Sequence, residues 1–165
     1  MTMSPPEAVA EYSKGPDDGG GLAQAVPAVL AGGALFGSLL LIVAEFTTLF
    51  EIQTATQHTP IKSVGTGWHH SYALIPVAAL AAFMAFGLWR TQSPWTLLTL
   101  GGLGALALAI ALVVDLPDAH ASGVIGSFAT GLLTASAVPQ TGLYMETLGA
   151  AVLIVVAGWG LLLRR

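Results

Sequence analysis

The sequence has 165 residues, of which 55% are apolar and only 8% are charged, and its mean hydropathy is +0.78. A typical soluble domain has about a quarter charged residues, so this composition excludes an ordinary water-soluble fold, whose surface it has too few charges to cover. The net charge of −4 provides no basic surface for nucleic acid, and the lack of cysteine excludes disulfides, thiolate zinc sites and iron–sulfur clusters.

Residues 1–26 form the first predicted segment, an acidic tail. Its charges include Glu7, Glu11, Asp17 and Asp18, and three consecutive glycines start at Gly19. Such a segment has too little apolar surface to offset the entropy lost on ordering, so we expect a disordered cytoplasmic tail. A cleaved signal peptide is not expected, because it would start with a short, positively charged leader.

Four stretches of the chain are long and apolar enough to cross a bilayer, whose core of about 30 Å requires about 20 helical residues. The predicted spans cover residues 27–50, 72–89, 95–116 and 143–163, and none of them contains lysine or arginine. Pro27 and Pro94 fit the first turns of the first and third spans, where a missing N–H is tolerated. The sequence therefore predicts an all-α fold for residues 27–165, a polytopic membrane protein with a four-helix transmembrane bundle.

The positive charges predict the orientation, because Lys and Arg prefer the cytoplasmic side of a membrane. With both termini inside, Lys14, Arg90, Arg164 and Arg165 are cytoplasmic and only Lys62 is outside. We therefore expect a multi-pass protein of the cell membrane, an inner or plasma membrane, with both termini in the cytoplasm. Two loops, residues 51–71 and 117–142, are then outside.

Small residues recur at four-residue spacing on the predicted spans, as in Gly33 and Gly37 or Ala78 and Ala82. Helices in lipid associate by close packing and hydrogen bonds, which small residues permit. The pattern favours a compact bundle within one chain, with homodimerisation through Gly33 and Gly37 as the alternative. The expected partners are the lipid bilayer and other membrane proteins, or a second copy of this chain.

Glu45 lies within the predicted first span, close to its outer end. An ionisable residue inside a span is costly and is often functional, so Glu45 is a candidate for a proton or cation contact inside the bundle. A snorkelling or hydrogen-bonded carboxylate beside Thr47 and Thr48 is the alternative.

All four histidines fall in or at the edges of the outer loops, together with several carboxylates. Imidazole and carboxylate groups are ligands for zinc and copper(II), and the hairpin of the second and third spans brings their outer ends together. The candidate metal ligands are His69, His70, Asp118 and His120. The interpretation that we favour is that these polar residues only mark the boundary with water, so no cofactor is expected; a zinc or copper(II) site and pH sensing by histidine are the alternatives.

Asp115 ends the predicted third span, and Glu146 lies one turn into the fourth. A carboxylate at a helix C-terminus opposes the helix dipole, so Asp115 needs a partner, for which His69, His70 and Lys62 are candidates. Because Asp115 and Glu146 share the same depth, we expect a polar network that closes the outer end of the bundle.

The second outer loop contains an apolar stretch, residues 124–133, that is too short to span a membrane. We expect it to lie in the membrane interface or to pack over the helix ends. A disordered loop is the alternative.

The run from Val113 to Asp118, VVDLPD, and the run from Gly142 to Gly149, GLYMETLG, resemble a pattern in small uncharacterised four-helix membrane proteins of high-GC, actinobacterial-type bacteria. The resemblance covers about the last third of the chain. It implies a bacterial inner-membrane protein with an outer loop between acidic helix ends. It implies no activity and no substrate.

The expected function is structural or accessory: a small integral membrane protein that serves as an interaction subunit of a membrane assembly. No enzyme is expected, because the sequence contains no GxSxG, Walker A or nucleotide-binding glycine motif after a strand. One alternative is an outer-face metal-binding or pH-responsive membrane protein that uses its His and carboxylate residues. Another is a minimal channel or transporter component, which needs a polar path through the bundle.

Overall fold

The fold is described from a computed structural model of the chain, and the description covers residues 19–56, 59–69, 72–91, 93–127 and 131–164. The helices are α1 (Gly19–Glu45), α2 (Leu74–Thr91), α3 (Pro94–Ile110), α4 (Leu116–Ala119) and α5 (Thr141–Leu162), and a π-helical turn (Ala111–Asp115) joins α3 to α4. The strands are β1 (Phe50–Thr56), β2 (Thr59–Gly67), β3 (Ser122–Ser127) and β4 (Gly131–Pro139).

Four helical segments are long and apolar enough to cross a membrane, as the sequence predicts. They are Ala25–Glu45, Leu74–Thr91, Pro94–Ala119 and Thr141–Leu162. Their length and composition are those of a membrane protein. The prediction of four spans is therefore confirmed at this level, with ends that differ by a few residues.

The first span differs most from its predicted bounds. α1 begins at Gly19, so Pro27 lies inside the helix rather than in its first turn. The helix ends at Glu45, and Phe50 already belongs to β1. The predicted tail, residues 1–26, thus includes helical residues from Gly19 onward, and residues 1–18 lie outside the described part of the chain.

The third span continues beyond its predicted end at Leu116. Pro117 occupies the first turn of α4, where a missing N–H is tolerated, so the helical segment reaches Ala119. Asp115 consequently lies within the helical segment rather than at its exit.

The four spans form a closed bundle. α1 packs against α2 and α5, and α3 packs against the same two helices. Small residues permit this close approach: a methyl group at Gly37 would lie 3.0 Å from the carbonyl oxygen of Gly149, and one at Gly33 would lie 2.8 Å from Val156 Cγ2. The predicted small-residue pair Gly33 and Gly37 therefore faces α5 of the same chain.

The two outer loops fold into one antiparallel sheet with the strand order β2-β1-β4-β3, so the all-α prediction is wrong for this part of the chain. β1 belongs to the first loop and β4 to the second, and they pair from Phe50 opposite Pro139 to Thr54 opposite Ala135. Within the apolar stretch 124–133, residues 124–127 belong to β3 and residues 131–133 to β4, and the two strands pair with each other there, whereas residues 128–130 lie outside the described part of the chain.

Backbone hydrogen bonds attach the sheet to the bundle. The N–H of Gln140 donates to the carbonyl of Leu49, and the N–H of Gly142 donates to that of Thr48. Gly142 permits this approach, because a methyl group there would lie 2.7 Å from the Thr48 oxygen. A small apolar cluster of Leu49, Ala119 and Leu143 fills the junction. The sheet thus positions the start of α5 against the end of α1.

Two neighbouring glycines of α3 test the close packing of the bundle. In Gly104→Ala the new methyl group would lie 3.0 Å from the carbonyl oxygen of Ala150, so we expect a loss of about 1–3 kcal/mol of stability from overpacking. Gly102→Ala is the matched control: it has no atom within 4 Å, so it should be neutral or stabilising by up to about 1 kcal/mol through helix propensity. Thermal unfolding in detergent measures both variants. Equal midpoints would contradict the described packing of α3 on α5.

Candidate metal centre

Four polar side chains from different elements converge at the end of the bundle that carries the sheet. Glu45 is the last residue of α1, His69 lies between β2 and α2, Asp115 ends the π-helical turn, and Glu146 lies in the second turn of α5. Glu45 is 4% exposed, Asp115 is 2% exposed and Glu146 is fully buried, and the side chain of His69 is 4% exposed. We refer to these four residues as the outer cluster, after the side of the membrane that the sequence predicts for this end of the bundle.

The geometry within the outer cluster suits a small cation. His69 Nε2 lies 3.8 Å from Asp115 Oδ2 and 3.6 Å from Glu146 Oε2, distances too long for hydrogen bonds. One ligand atom from each of these three residues lies within 4.8 Å of the other two. Donor atoms around a tetrahedral ion with bonds of about 2.1 Å lie roughly 3.4 Å apart, which is close to the observed separations.

The outer cluster also contains unpartnered polar atoms. Among the described residues, every buried side-chain nitrogen or oxygen without a hydrogen-bond partner belongs to it: Glu45 Oε2, His69 Nδ1, His69 Nε2, Asp115 Oδ2, Glu146 Oε1 and Glu146 Oε2. Buried polar atoms are nearly always paired, so each such atom requires a physical explanation. Their concentration at one place indicates a site built for a ligand.

The π-helical turn has a direct role in placing Asp115. Single π turns within α-helices change the direction in which the following side chains point, and they are frequent at functional sites. Here Asp115 is buried, whereas Val113 and Val114 on the same turn are exposed. The turn therefore directs the carboxylate inward while its apolar neighbours face outward.

The charge balance of the outer cluster is unfavourable without a counterion. It contains three carboxylates and one imidazole, so its ionised form has a net negative charge that is shielded from water. Burying uncompensated charge is strongly destabilising. A divalent cation bound to His69, Asp115 and Glu146 would balance the two ligand carboxylates, and a shared proton is the other way to reduce the charge.

The carboxylates change the titration of His69. Burial by itself would lower the pKa of this imidazole, but the neighbouring carboxylates of Glu146, Asp115 and Glu45 outweigh it, so the pKa of His69 lies above its ordinary value of 6.5. A metal ion must therefore compete with a proton for this ring.

The structure brings together some of the residues singled out in the sequence. His69 from the predicted metal set joins Glu45, Asp115 and Glu146, the three carboxylates predicted at the span ends. The expected proximity of Asp115 to His69 is observed. These side chains thus meet at the end of the bundle that carries the sheet, although the distances from His69 to Asp115 and Glu146 are too long for hydrogen bonds.

The other predicted ligands lie elsewhere. His120 is exposed, and its Nδ1 is 3.0 Å from the carbonyl oxygen of Leu116. Asp118 lines a cavity of about 320 Å³ beside the sheet, with Phe50 and Ile52. His70 lies outside the described residues. Asp115 and Glu146 are instead the residues that complete the candidate ligand set with His69, and their position within apolar spans is the sequence signal that points to them.

Comparisons with protein-family models, with curated proteins and with solved structures find no match to this chain. The fold and the outer cluster define a class in physical terms: a four-span helical protein with a sheet over one end and a buried His–carboxylate site beneath it. Its function therefore has to be inferred from the chemistry of that site.

Replacing Glu146 by an apolar residue of similar length tests whether the carboxylates of the metal-free outer cluster lack a balancing positive charge. In the presence of a chelator and at a pH above the pKa of His69, where the ring is neutral, Glu146→Met should raise the unfolding free energy by about 1 kcal/mol or more, because it replaces one of three buried carboxylates by an apolar side chain that has no charge to desolvate. Glu51→Met is the control, since Glu51 accepts a hydrogen bond from Gln140 and should gain nothing. Thermal unfolding in detergent gives both values. A lower midpoint for Glu146→Met would show that the carboxylate is already compensated.

The titration of His69 provides a second test. In chelator-treated protein we expect the pKa of His69 to lie above 6.5, and Asp115→Asn to lower it by removing one of the carboxylates that raise it. Because the folded pKa is above the unfolded value, the charged ring stabilises the metal-free fold below about pH 6.5. That contribution is lost as the pH rises through the folded pKa. Histidine NMR, assigned with His69→Gln, measures the pKa, and an unchanged value in Asp115→Asn would contradict the geometry.

Proposed function

We propose that the protein is a multi-pass membrane protein that binds one divalent transition-metal ion, zinc above all, through His69, Asp115 and Glu146. The observation that carries this proposal is that the unpartnered buried polar atoms of the described chain all converge on the outer cluster. A cation is the ligand that matches such a set, because it satisfies the carboxylate oxygens and an imidazole nitrogen together.

The donor set favours zinc. Imidazole nitrogen suits zinc, copper, iron and nickel, whereas magnesium and calcium prefer all-oxygen sites. Three donors at separations near those of a tetrahedral ion leave one position for water or for a further ligand. Copper(II), which prefers tetragonal geometry, is the competitor to include in binding experiments.

We further propose that the outer cluster faces the exterior of the cell. Arg90 and Arg164 lie at the opposite end of the bundle from the sheet, with Arg90 in the last turn of α2 and Arg164 after the end of α5. Positive residues favour the cytoplasmic side, which supports cytoplasmic termini in a cell membrane. Metal would then be acquired from outside.

The burial of the site supports a structural or sensing role rather than catalysis. The ligand side chains are at most 4% exposed, so a bound ion would be closed off from substrates of any size. The ion would connect the segment before α2 with the π-helical turn and α5. The accessory role in a membrane assembly stays a prediction. In that role, a bound metal ion would stabilise the outer end of the bundle, where the protein would contact its partner.

A proton-responsive protein is the second candidate, supported by the raised pKa of His69 beside three carboxylates. The channel alternative has no comparable support, because the described spans carry their carboxylates at the outer end and Arg90 at the other.

Metal analysis of the protein purified in detergent tests the proposal. We expect about one Zn²⁺ per chain by elemental analysis, and binding at least about 100-fold weaker in His69→Ala and Glu146→Gln, a larger effect than the loss of an outer-shell partner. Asp118→Asn and His120→Gln are the matched controls and should bind like the parent protein. Copper(II) and proton binding are measured in parallel.

Two results would contradict the proposal. One is a parent protein that binds neither zinc nor copper, which would favour the proton-responsive function. The other is loss of zinc in the Asp118 and His120 variants with retention in the Glu146 variant, which would place the site at the other residues predicted from the sequence.

A further inference from the structure

Glu45 is the member of the outer cluster that the three-residue ligand set does not use. It is 4% exposed at the end of α1, and its Oε2 has no hydrogen-bond partner. Its carboxylate accepts a hydrogen bond from the backbone N–H of Leu74 and interacts electrostatically with His69 and Asp115. The set of ligand atoms within 4.8 Å of one another comprises His69, Asp115 and Glu146 but not Glu45. Glu45 is therefore near the site without being one of its closest donors.

His69 also has a buried atom without a hydrogen-bond partner, and this atom is a nitrogen. Its Nε2 faces Asp115 and Glu146, at 3.8 Å and 3.6 Å, whereas its Nδ1 is also buried and has no partner. A neutral imidazole has one N–H donor and one lone-pair acceptor, so a ring that binds metal through Nε2 has its proton on Nδ1. This proton requires an acceptor on the side of the ring that faces away from the metal.

Once a metal ion is assigned its ligand atoms, one possible donor and one possible acceptor in the outer cluster still have no partner. The metal accounts for His69 Nε2, Asp115 Oδ2 and the Glu146 oxygens, which leaves the donor His69 Nδ1 and the acceptor Glu45 Oε2 among the described residues. Histidines that bind metals almost always donate their other N–H to a carboxylate, a carbonyl or a water molecule.

We propose that Glu45 is the positioning residue of the metal site: in the metal-bound protein its carboxylate, whose Oε2 is unpartnered in this structure, accepts the Nδ1 proton of His69 and so directs Nε2 toward the metal. This inference rests on the proposed metal-binding function. The hydrogen bond from Leu74, the first residue of α2, anchors Glu45 at a helix N-terminus, whose dipole favours a negative charge. Glu45 thereby connects the end of α1 to the start of α2 and orients the ring that lies just before α2.

Two variants separate this role from that of a ligand. Glu45→Gln keeps an acceptor oxygen but removes the charge, and Glu45→Leu removes both. We expect one Zn²⁺ per chain in both variants, with affinity reduced about 10-fold in Glu45→Gln and up to about 100-fold in Glu45→Leu, the range for outer-shell partners. Glu51→Gln is the matched control and should bind zinc like the parent protein, because Glu51 pairs with Gln140.

Cobalt substitution and NMR supply readouts that stability alone would not change. The visible spectrum of the Co²⁺ form should retain its intensity in the Glu45 variants, since the number of ligands is unchanged. In the Zn²⁺-bound parent protein, ¹⁵N-edited histidine spectra should show a protonated Nδ1 on His69. Its proton should move upfield in Glu45→Leu, where the carboxylate acceptor is lost.

The outcomes distinguish this inference from the function on which it rests. A parent protein that binds neither zinc nor copper overturns both. If Glu45→Leu binds zinc as tightly as the parent protein, the positioning role of Glu45 is overturned but the metal-binding function is not. The same holds if the only effect of Glu45→Leu is a lower stability of the metal-free protein. A large change in the Co²⁺ spectrum of Glu45→Gln also overturns this role, because it would show that Glu45 is itself a ligand. A parent protein whose His69 is protonated on Nε2 in the zinc form overturns it as well, because the ring would then bind the metal through Nδ1.

Discussion

The structure depends on one constraint: polar groups removed from water must be satisfied within the protein. The four helices satisfy their own backbone groups, and their side chains are almost entirely apolar, so the spans meet this requirement for most of their length. The exception is the outer cluster. There Glu45, Asp115 and Glu146 are buried with His69, and each of these residues has at least one buried polar atom without a hydrogen-bond partner. The candidate function follows from this exception.

The sheet makes the cluster possible. Without it, the ends of α1, the π-helical turn and α5 would lie at the membrane surface, where water can hydrate a carboxylate. The pairing of β1 with β4 and the backbone bonds from Gln140 and Gly142 bring the start of α5 against the end of α1. Since β2 leads directly into the segment with His69, the same sheet delivers the imidazole to the carboxylates. Burial at this end is therefore a consequence of how the two outer loops fold together.

Stability and function oppose each other at this site. Desolvating a carboxylate costs several kcal/mol, which an apolar side chain of the same size would not incur. The bundle has enough close packing, through residues such as Gly37, Gly104 and Gly149, to tolerate one such site. A bound cation recovers the cost, so the fold of the outer end would be coupled to the presence of metal.

The sequence by itself determined the helical part of the protein, because a run of about 20 apolar residues has few alternatives to a membrane span. It also indicated Glu45, Asp115 and Glu146, since a carboxylate within an apolar run is visible without any structure. The alternation of the apolar Phe50 and Ile52 with the polar Glu51 and Gln53 is a strand signal, but it covers only four residues and does not predict a sheet by itself. Only the tertiary structure decided that β1 pairs with β4, that a π-helical turn directs Asp115 inward, and that His69 rather than His120 meets the carboxylates. These outcomes depend on contacts between segments far apart in the chain, and local patterns carry no information about which distant segments meet.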